Sequence, residues 1–386
     1  METVKLYQQD AFLQTFSAQV LRCEAQGKNW QIVLDQTAFY PEGGGQPADQ
    51  GAITGANTTV RVLDVHERGA EIHHLCDGPL PVGQTVTGQV DWARRFDHMQ
   101  QHSGEHIVSG LICGTYHCDN VGFHLGADSV IIDFNTELTW EQVLQIEAAA
   151  NRYVWEDHTL EVLYPDAAQL AQLPYRSKKE LEGQVRITHF PGADMCACCG
   201  THVAHSGQVG LVKFLSCQKF REGVRLELLC GGRAHRYLSQ SWEQNRQVGQ
   251  LLSVQHHNTY EAVCRLHQEL QNTKLRVAQL EESWFQVIAQ QHQDAGDVLL
   301  IQPEMSSDSL RRLCDAVAQT CGGRCAAFSG ENGRYKYAII HPSHDIRELV
   351  KELNTTLQGR GGGRDGFAQG SIQTTEEEIR AFFEHI

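Results

Sequence analysis

Two short stretches of the sequence hold the side chains best suited to bind a metal ion. HSGEH places His102 and His106 four residues apart. On a helix, residues at i and i+4 lie on one face with Cβ atoms roughly 5–6 Å apart, so both imidazoles can reach one ion. DMCACCGTHVAHSG places Cys198 and His202 at the same spacing, and zinc favours a thiolate beside an imidazole. The two half-sites together predict one zinc site.

Two other interpretations use the same stretches. The second stretch could close a small structural zinc knuckle by itself, from Cys196, Cys198 or Cys199, His202 and His205. HSGEH also satisfies His-x-x-Glu-His, the pattern of inverted zinc peptidases, with Glu105 as general base. A peptidase would need a third, acidic ligand downstream and has no use for a Cys-x-x-x-His cluster, so this interpretation is the least favoured.

Composition limits the class of protein. A chain of 386 residues with 41% hydrophobic and 20% charged residues is typical of a soluble globular protein of two to four domains. It has no run of about 18 apolar residues and no signal-type start, so we expect no membrane span and a cytoplasmic location. The net charge of −15 argues against coating of nucleic acid through bulk charge but leaves room for a local basic patch.

Residues 1–90 contain short alternating runs such as WQIVLD and TTVRVLDVHE, separated by Gly, Asn, Asp and Pro. This pattern predicts a small, mostly antiparallel barrel or sandwich. Within it lies FYPEGGGQPADQG, residues 39–51, whose glycines disfavour a regular element. We therefore expect a loop there, with either a tight turn or a ligand beside it.

Residues 91–240 must hold both metal half-sites. DWARRFDHMQQHSGEHIVSGLI has apolar residues at spacings of three and four, which predicts a helix with Asp91 as its N-cap. DSVIIDF, QVRITHF, GQVGLVKFLSC and VRLELLCG are predicted strands, and TWEQVLQIEAAANRYVWED is a predicted helix that begins after Thr139. The segment is therefore expected to form an α+β domain.

The remaining chain predicts two further segments. Residues 241–295 are almost free of Gly and Pro and predict a long helix or helical hairpin with coiled-coil packing, which is one route to a homodimer. The apolar seam of that segment consists of Val263, Leu266, Leu270, Thr273, Val277, Leu280, Trp284 and Val287. Residues 296–386 predict a small α/β domain containing the glycine-rich loop GRGGGRDGFAQG. The expected fold class is α+β and multidomain.

The motifs taken together resemble a known family. FYPEGGGQPADQG, HSGEH and CCGTHVAHSGQVG, in that order, resemble the long alanyl-tRNA editing proteins of the AlaX type and the editing domain of alanyl-tRNA synthetase. VGFHLGADSVIIDF, LPYRSKKELEGQVRI and VRLELLCGGRA extend the resemblance over most of residues 5–235. GRGGGRDGFAQG is similar, more loosely, to the glycine-rich segment of the DHH-associated domain.

The resemblance implies a trans-editing hydrolase that removes serine, with glycine left as an open question, from mischarged alanine tRNA. It implies one zinc ion per chain at a catalytic site formed by His102, His106, Cys198 and His202. The sequence reads CCGTH where the family has CGGTH, so the identity of the sulfur ligand stays open, although spacing favours Cys198. Four protein ligands normally mark a closed structural site, which keeps open the alternative of a tRNA-binding protein with structural zinc and no deacylase activity.

The implied substrate also gives roles to the glycine-rich loop. A pocket for alanine rejects serine only by about a hundredfold, so accuracy needs a second site that selects the hydroxyl. The resemblance assigns that selection to Thr37, and the backbone amides of the loop are candidate donors to the ester carbonyl or the terminal adenosine. The full candidate substrate-binding set is Thr37, Gly43, Gly44, Gly45 and Gln46. Glu105 is either a general base, a solvated residue or a residue behind the metal ligands.

An RNA substrate requires cationic contacts with phosphates. The candidate RNA-binding residues are Arg176, Lys178, Lys179, Arg360 and Arg364. Solvated surface cations are the alternative interpretation for each of them. All four ligand positions and the glycine-rich loop are present, which favours an enzyme over a binding protein.

Overall fold

The computed structural model describes residues 2–177, 185–331 and 333–384. The chain divides into two compact units, Met1–Gln244 and Asn245–Ile386, and is a mixed α and β multidomain protein as predicted. In the part of the chain that is described, no helix combines the length and apolarity that a membrane crossing requires.

The first unit begins with a closed barrel, which confirms the barrel expected near the N-terminus. Its strands follow the order β2-β3-β7-β6-β5-β8, and each neighbouring pair is antiparallel. Alternate residues of β2 are buried, as expected for a strand with one face on a core. The elements are β1 Val4–Lys5, α1 Leu6–Gln9, β2 Thr15–Gln26, β3 Asn29–Leu34, β4 Gln36–Thr37, β5 Gly51–Thr54, β6 Thr59–Arg68, β7 Glu71–Cys76 and β8 Thr85–Val90.

An α and β domain follows the barrel within the first unit. Its four-stranded sheet has the order β14-β15-β10-β9, and a separate three-stranded sheet has the order β11-β12-β13. The elements are α2 Trp92–Tyr116, β9 Asn120–Leu125, β10 Val130–Phe134, α3 Trp140–Trp155, β11 Glu161–Leu163, α4 Ala167–Leu170, β12 Ile187–Phe190, β13 Asp194–Ala197, β14 Val212–Phe220 and β15 Gly223–Cys230, with a 3-10 turn at Ser206–Val209.

Both predicted helix starts are present. The Asp91 side chain accepts a hydrogen bond from the backbone N–H of Arg94 at 3.2 Å, which satisfies one of the unpaired amides at the start of α2. Thr139 caps α3 in a reciprocal capping box with Gln142. Helix α2 carries HSGEH through the interior of the domain, where that whole motif is buried.

A buried ion pair joins α2 to the barrel. Arg95 lies one helical turn into α2 and pairs with Asp49 at the end of the glycine-rich loop, and both side chains are almost fully buried. The Arg95 guanidinium also donates to the carbonyl oxygens of Ala11 and Ala38. Asp49 in turn accepts the backbone N–H of Tyr40 at 2.7 Å. These bonds fix the loop against the helix that carries both histidines.

The second unit contains the helical segment and a five-stranded sheet of order β16-β17-β18-β20-β19. Its elements, starting with the helix that crosses the unit boundary, are α5 Gly231–Leu251, α6 Thr259–Gln291, β16 Gly296–Gln302, α7 Ser307–Ala318, β17 Gly322–Glu331, β18 Arg334–Ile340, α8 Arg347–Thr356, β19 Arg360–Arg364, β20 Phe367–Ile372 and α9 Glu376–Glu384, with a 3-10 turn at His256–Asn258.

The helical segment is therefore two helices, α5 and α6. The apolar seam along α6 faces outward: Leu266 is 53% exposed and Leu280 is 60% exposed. A row of exposed apolar side chains at heptad spacing is what a coiled-coil partner would cover. Coiled-coil packing and dimerisation stay predictions.

The glycine-rich segment near the C-terminus corrects one expectation. Residues 360–364 were expected in a loop but form β19, which pairs antiparallel with β20. At Gly361 the strand lies directly against a ring, because a Cβ there would come within 2.2 Å of the Tyr337 hydroxyl. A run of glycines that resembles a loop in sequence is here a strand without side-chain bulk.

Candidate metal centre

The two half-sites meet at one point of the first unit. His102 and His106 from α2 lie beside Cys198 and His202 from the segment after β13, and one ligand atom of each lies within 4.8 Å of the others. All three histidines are buried, and Cys198 is partly buried. Because the half-sites are almost a hundred residues apart in sequence, the fold of the domain creates the cluster.

The spacing of the donor atoms matches zinc. Cys198 Sγ lies 3.5 Å from His102 Nε2 and 3.4 Å from His202 Nε2. Tetrahedral zinc with bonds of about 2.3 Å to sulfur and about 2.0–2.1 Å to nitrogen places those two atoms about 3.6 Å apart. These two distances fit a tetrahedral ion of the size of zinc, and a thiolate with imidazoles is a donor set that suits zinc.

Hydrogen bonds at the far side of each ring orient the histidines. Gln46 Oε1 accepts the backbone N–H of Thr201 at 3.2 Å, which identifies that amide atom as the oxygen. The same oxygen lies 2.9 Å from His102 Nδ1, so Nδ1 carries the hydrogen and Nε2 is left for a metal. Asp194 Oδ2 holds His106 Nδ1 in the same way at 2.8 Å. This arrangement is usual behind metal-binding histidines.

Asp194 is itself held by an arginine. Arg176 donates from Nε and Nη2 to the two carboxylate oxygens of Asp194, each at 2.8 Å. The pair forms a bidentate, charge-assisted contact that fixes the plane of the carboxylate. The hydrogen bonds from Arg176 to Asp194 and from His106 to Asp194 therefore fix the orientation of the His106 ring.

The electrostatics of the cluster favour a metal-binding protonation state. Burial opposes ionisation of Cys198, but its contacts with His102 and His106 outweigh burial and hold the pKa of the thiol well below its usual value. Burial lowers the pKa of His202 to about 3, so its imidazole is neutral. Burial also opposes protonation of His106, but the bond to Asp194 raises its pKa well above the usual value. At His106, unlike at Cys198 and His202, a proton on Nε2 would therefore compete with a metal ion, so metal affinity should increase with pH.

The competing ligands lie elsewhere. Cys196 is buried beside His106 and Asp194, and Cys199 is exposed; neither belongs to the four-residue cluster. His205 is exposed, with its Nδ1 3.5 Å from the Thr159 hydroxyl. The geometry supports the cluster built from both stretches and gives no support to a local knuckle.

The Glu105 carboxylate is buried next to the cluster, and one of its oxygens is already hydrogen-bonded. Its Oε1 accepts from Ser109 at 2.8 Å and from Asn120 at 2.7 Å. Its Oε2 lies 3.9 Å from His106 Nε2. The carboxylate is buried in a polar network, which favours the supporting role over the general base that a peptidase would need.

The glycine-rich loop reaches the cluster through Phe123. The Phe123 ring stacks on the His102 imidazole with centroids 5.1 Å apart. Gly45, at φ +84°, lies against that ring so closely that a Cβ would come within 2.6 Å of it. Within the loop, Gly43 N–H donates to the Gln46 carbonyl at 3.1 Å, so this amide is already used. Of the three glycines, Gly44 and Gly45 therefore remain as candidate backbone donors to the substrate.

Thr37 is fully buried at the end of β4, outside the four-ligand cluster. Its hydroxyl accepts the backbone N–H of Phe39 at 3.1 Å and lies 2.9 Å from His74 Nε2. His74 Nδ1 faces the Ile32 carbonyl at 3.1 Å, which requires a hydrogen on Nδ1. Burial lowers the pKa of His74 to about 4, so Nε2 is an acceptor and the Thr37 hydroxyl donates to it.

The expected RNA-binding residues fall into three groups. Arg176 is occupied by Asp194, as described above. Lys178 and Lys179 lie outside the described residues. Arg360 and Arg364 are exposed at the two ends of β19, on the edge of the sheet of the second unit. Among the candidates that the structure describes, only Arg360 and Arg364 are exposed cations without an ion-pair partner.

Sequence reasoning missed the residues behind the ligands. Gln46 was expected to touch substrate, yet its side chain is buried and holds His102 and Thr201. Asp194 was not considered, although it lies four residues before Cys198. A carboxylate this close to a predicted histidine and cysteine site was the available signal.

Comparison with known proteins matches three separate stretches of the chain. Residues 5–94 match the family described as tRNA synthetases class II (A), residues 185–226 match the threonyl and alanyl tRNA synthetase second additional domain, and residues 287–386 match the DHHA1 domain. The second of these contains two of the four candidate ligands. The chain is therefore related to aminoacyl-tRNA synthetases in its barrel and in the domain that holds the candidate ligands, and it carries a DHHA1 domain at residues 287–386.

Individual relatives narrow the class. The chain is 26% identical to the alanyl-tRNA editing protein AlaX-L of Pyrococcus horikoshii over 97% of this chain and 96% of that protein. It is 27% identical to the alanyl-tRNA editing protein Aarsd1 of Mus musculus, again over 97% and 96%. It is 30% identical to the alanine--tRNA ligase of Pyrococcus abyssi over 98% of this chain but 43% of the ligase. Over almost its whole length, the chain is similar to the alanyl-tRNA editing proteins of the AlaX type.

Proposed function

We propose that this protein is a trans-editing hydrolase that deacylates alanine tRNA mischarged with serine, and also with glycine, in a zinc-assisted ester hydrolysis. The observation that carries the proposal is the meeting of two half-sites in one buried cluster sized for tetrahedral zinc. The names of its full-length relatives, alanyl-tRNA editing proteins, supply the substrate class.

The proposed chemistry needs a polarised carbonyl and an attacking water. Zinc held by His102, His106, Cys198 and His202 would supply Lewis-acid polarisation or activation of water. The amides of Gly44 and Gly45 would donate to the carbonyl oxygen as negative charge develops on it. Within the described residues neither amide donates to a protein acceptor, so both are available for substrate.

Selection of serine would come from Thr37. Its hydroxyl donates to His74 and accepts from Phe39 N–H, which leaves one lone pair. A serine hydroxyl can donate to that lone pair, whereas alanine and glycine offer no donor there. Serine should therefore be the better substrate, and glycine should be released more slowly.

The proposal includes partners. The substrate is alanine tRNA, and Arg360 and Arg364 are the described cations proposed to contact its phosphates. A second copy of the chain is proposed to cover the exposed seam of α6, which analytical ultracentrifugation of wild type and Leu280→Lys would test. One zinc ion per chain and a cytoplasmic location are parts of the same proposal.

The test is deacylation of Ser-tRNA(Ala), Gly-tRNA(Ala) and Ala-tRNA(Ala), with bound zinc measured for each variant. His102→Ala and Cys198→Ala should lose both zinc and serine release, and His205→Ala is the matched control that should keep both. If zinc persists in His102→Ala and disappears in His205→Ala, the ion belongs to a local knuckle. If the wild type binds zinc but does not release serine, the zinc is structural and the protein is a tRNA-binding protein without deacylase activity.

A second pair of variants tests the selection of serine. Thr37→Val should reduce the preference for serine over alanine, while Thr37→Ser keeps the hydroxyl and should retain it. Loss of the Thr37 hydroxyl also leaves His74 and Phe39 N–H unpaired, at a cost of about 1–3 kcal/mol for each buried group. Unfolding of both variants must therefore be measured beside their rates.

A further inference from the structure

A cavity of about 880 Å³ opens onto the metal cluster. His202 lines it, together with residues 2–11 at the start of the chain and parts of β11 and β12. Two cations lie on its wall, Lys5 and Arg186. Lys5 is neutralised by Glu67, at 2.6 Å. Glu2 adds a carboxylate to the same wall, so among the described residues the cation that remains without a counterion in this cavity is Arg186.

Arg186 is 8% exposed and its guanidinium is only half satisfied. Nη1 donates to the Cys198 carbonyl at 2.7 Å and lies 3.2 Å from the Thr188 hydroxyl. Nε is buried without a hydrogen-bond partner. Among the residues the structure describes, no carboxylate lies within ion-pair distance of Arg186, unlike Arg95 and Arg176. A buried cation without an anion is costly, and such groups commonly serve a ligand.

The unused edge of this guanidinium has a defined chemistry. Nε and Nη2 point the same way from an arginine, and Arg176 uses that edge to hold both oxygens of Asp194 at 2.8 Å. The same edge of Arg186 is available to two oxygens of one anion. Carboxylate and phosphate groups both fit such a fork.

We infer that Arg186 and the cavity beside His202 form a subsite for the phosphodiester that precedes the terminal adenosine of the tRNA. The inference rests on the proposed function, which supplies the substrate. An aminoacyl ester carries no carboxylate, and its amino group is cationic, so the backbone phosphate is the anion nearest the reacting ester. Arg186 Nη1 donates to the Cys198 carbonyl, so a phosphate bound by Arg186 would be held close to the segment after β13 that carries Cys198. This would position the ester at the cluster.

The experiment compares two inert analogues by calorimetry. One is adenosine carrying serine through a 3′ amide, and the other is the same nucleoside extended on its 5′ side by a cytidine phosphodiester. The wild type should bind the dinucleotide tighter by about tenfold or more, the usual contribution of a charged hydrogen bond. Arg186→Gln should abolish that difference and leave nucleoside binding and zinc content unchanged.

Two further variants make the test specific. Arg186→Lys keeps the charge but lacks the two parallel N–H donors of a guanidinium. It should therefore retain only part of the difference in affinity between the two analogues. Arg61→Gln removes the same charge from the exposed outside of the barrel, where Arg61 pairs with Asp77, and should retain all of it.

Three results would overturn the inference. The first is that the ratio of the affinities for the two analogues is the same in Arg186→Gln as in the wild type. The second is an equal loss of affinity for both analogues in Arg186→Gln, together with loss of bound zinc. Arg186 would then only stabilise the segment that carries Cys198. The third is a wild type that binds neither analogue. Hydrolysis of Ser-tRNA(Ala) by the same preparation then shows whether the proposed function fails with the subsite or stands without it.

Discussion

Substitution of Gly45 by alanine is the sharpest test of how the glycine-rich loop supports the metal centre. Gly45 and Gly44 both have positive φ angles, +84° and +58°. A Cβ on Gly45 would meet Phe123 at 2.6 Å, whereas a Cβ on Gly44 would meet nothing within 4 Å. The two variants therefore share backbone strain and differ in one steric clash.

The expected magnitudes follow from that difference. An alanine in the left-handed region costs roughly 1–2 kcal/mol, so Gly44→Ala should lose about that much stability. Gly45→Ala adds overpacking against Phe123, typically about 1–3 kcal/mol, for a total of about 2–5 kcal/mol. Because the Phe123 ring stacks on His102, its displacement should also weaken zinc binding.

Urea unfolding and zinc affinity, the latter measured by competition with a chelator, check both effects. Gly44→Ala should keep the wild-type zinc affinity, and Gly45→Ala should lose about tenfold or more, as when groups supporting metal ligands are disturbed. Equal stability losses in the two variants, with zinc affinity unchanged in both, would refute the link from the loop through Phe123 to His102.

Three further predictions follow from residues away from the ligand atoms. Asp194→Asn should lower zinc affinity about 10–100-fold in the same competition assay, with the fold intact by circular dichroism. Asp49→Asn should cost about 3–5 kcal/mol in urea unfolding because it leaves Arg95 buried and unpaired, whereas Asp77→Asn, at a surface pair, should cost about 1 kcal/mol or less. Burial lowers the pKa of His74 from 6.5 to about 4, so the unfolded state binds a proton that the folded state does not, and stability should decrease by about 3 kcal/mol as pH falls through that window. Unfolding at neutral pH and at about pH 4 should show a smaller decrease for His74→Gln than for the wild type.

The sequence predicted those features that depend on local pattern. The cap at Asp91, the helix that carries His102 and His106, and the barrel strands follow from spacing and turn residues, and the structure has each of them. The i and i+4 spacing also indicated the four residues that meet in the cluster. Local pattern was sufficient because each half-site is contained in one short segment.

Features that depend on distant contacts could not be predicted in this way. Gln46 is 56 residues from His102 in sequence, and nothing local indicates that its amide faces that ring. The bond from Arg176 to Asp194 likewise depends on the packing of separate segments. The strand at residues 360–364 was interpreted as a loop because glycine content alone does not show a neighbouring ring.

We propose that the four-residue cluster, with one zinc ion bound, is where the ester of mischarged alanine tRNA is hydrolysed. The most direct measurement is the rate of serine release from Ser-tRNA(Ala) by the full chain before zinc removal, after chelation, and after zinc is restored. We expect serine release to be lost on chelation and to recover with about one zinc ion per chain, while Ala-tRNA(Ala) stays intact throughout. Serine release that continues at the same rate in the zinc-free protein would contradict it.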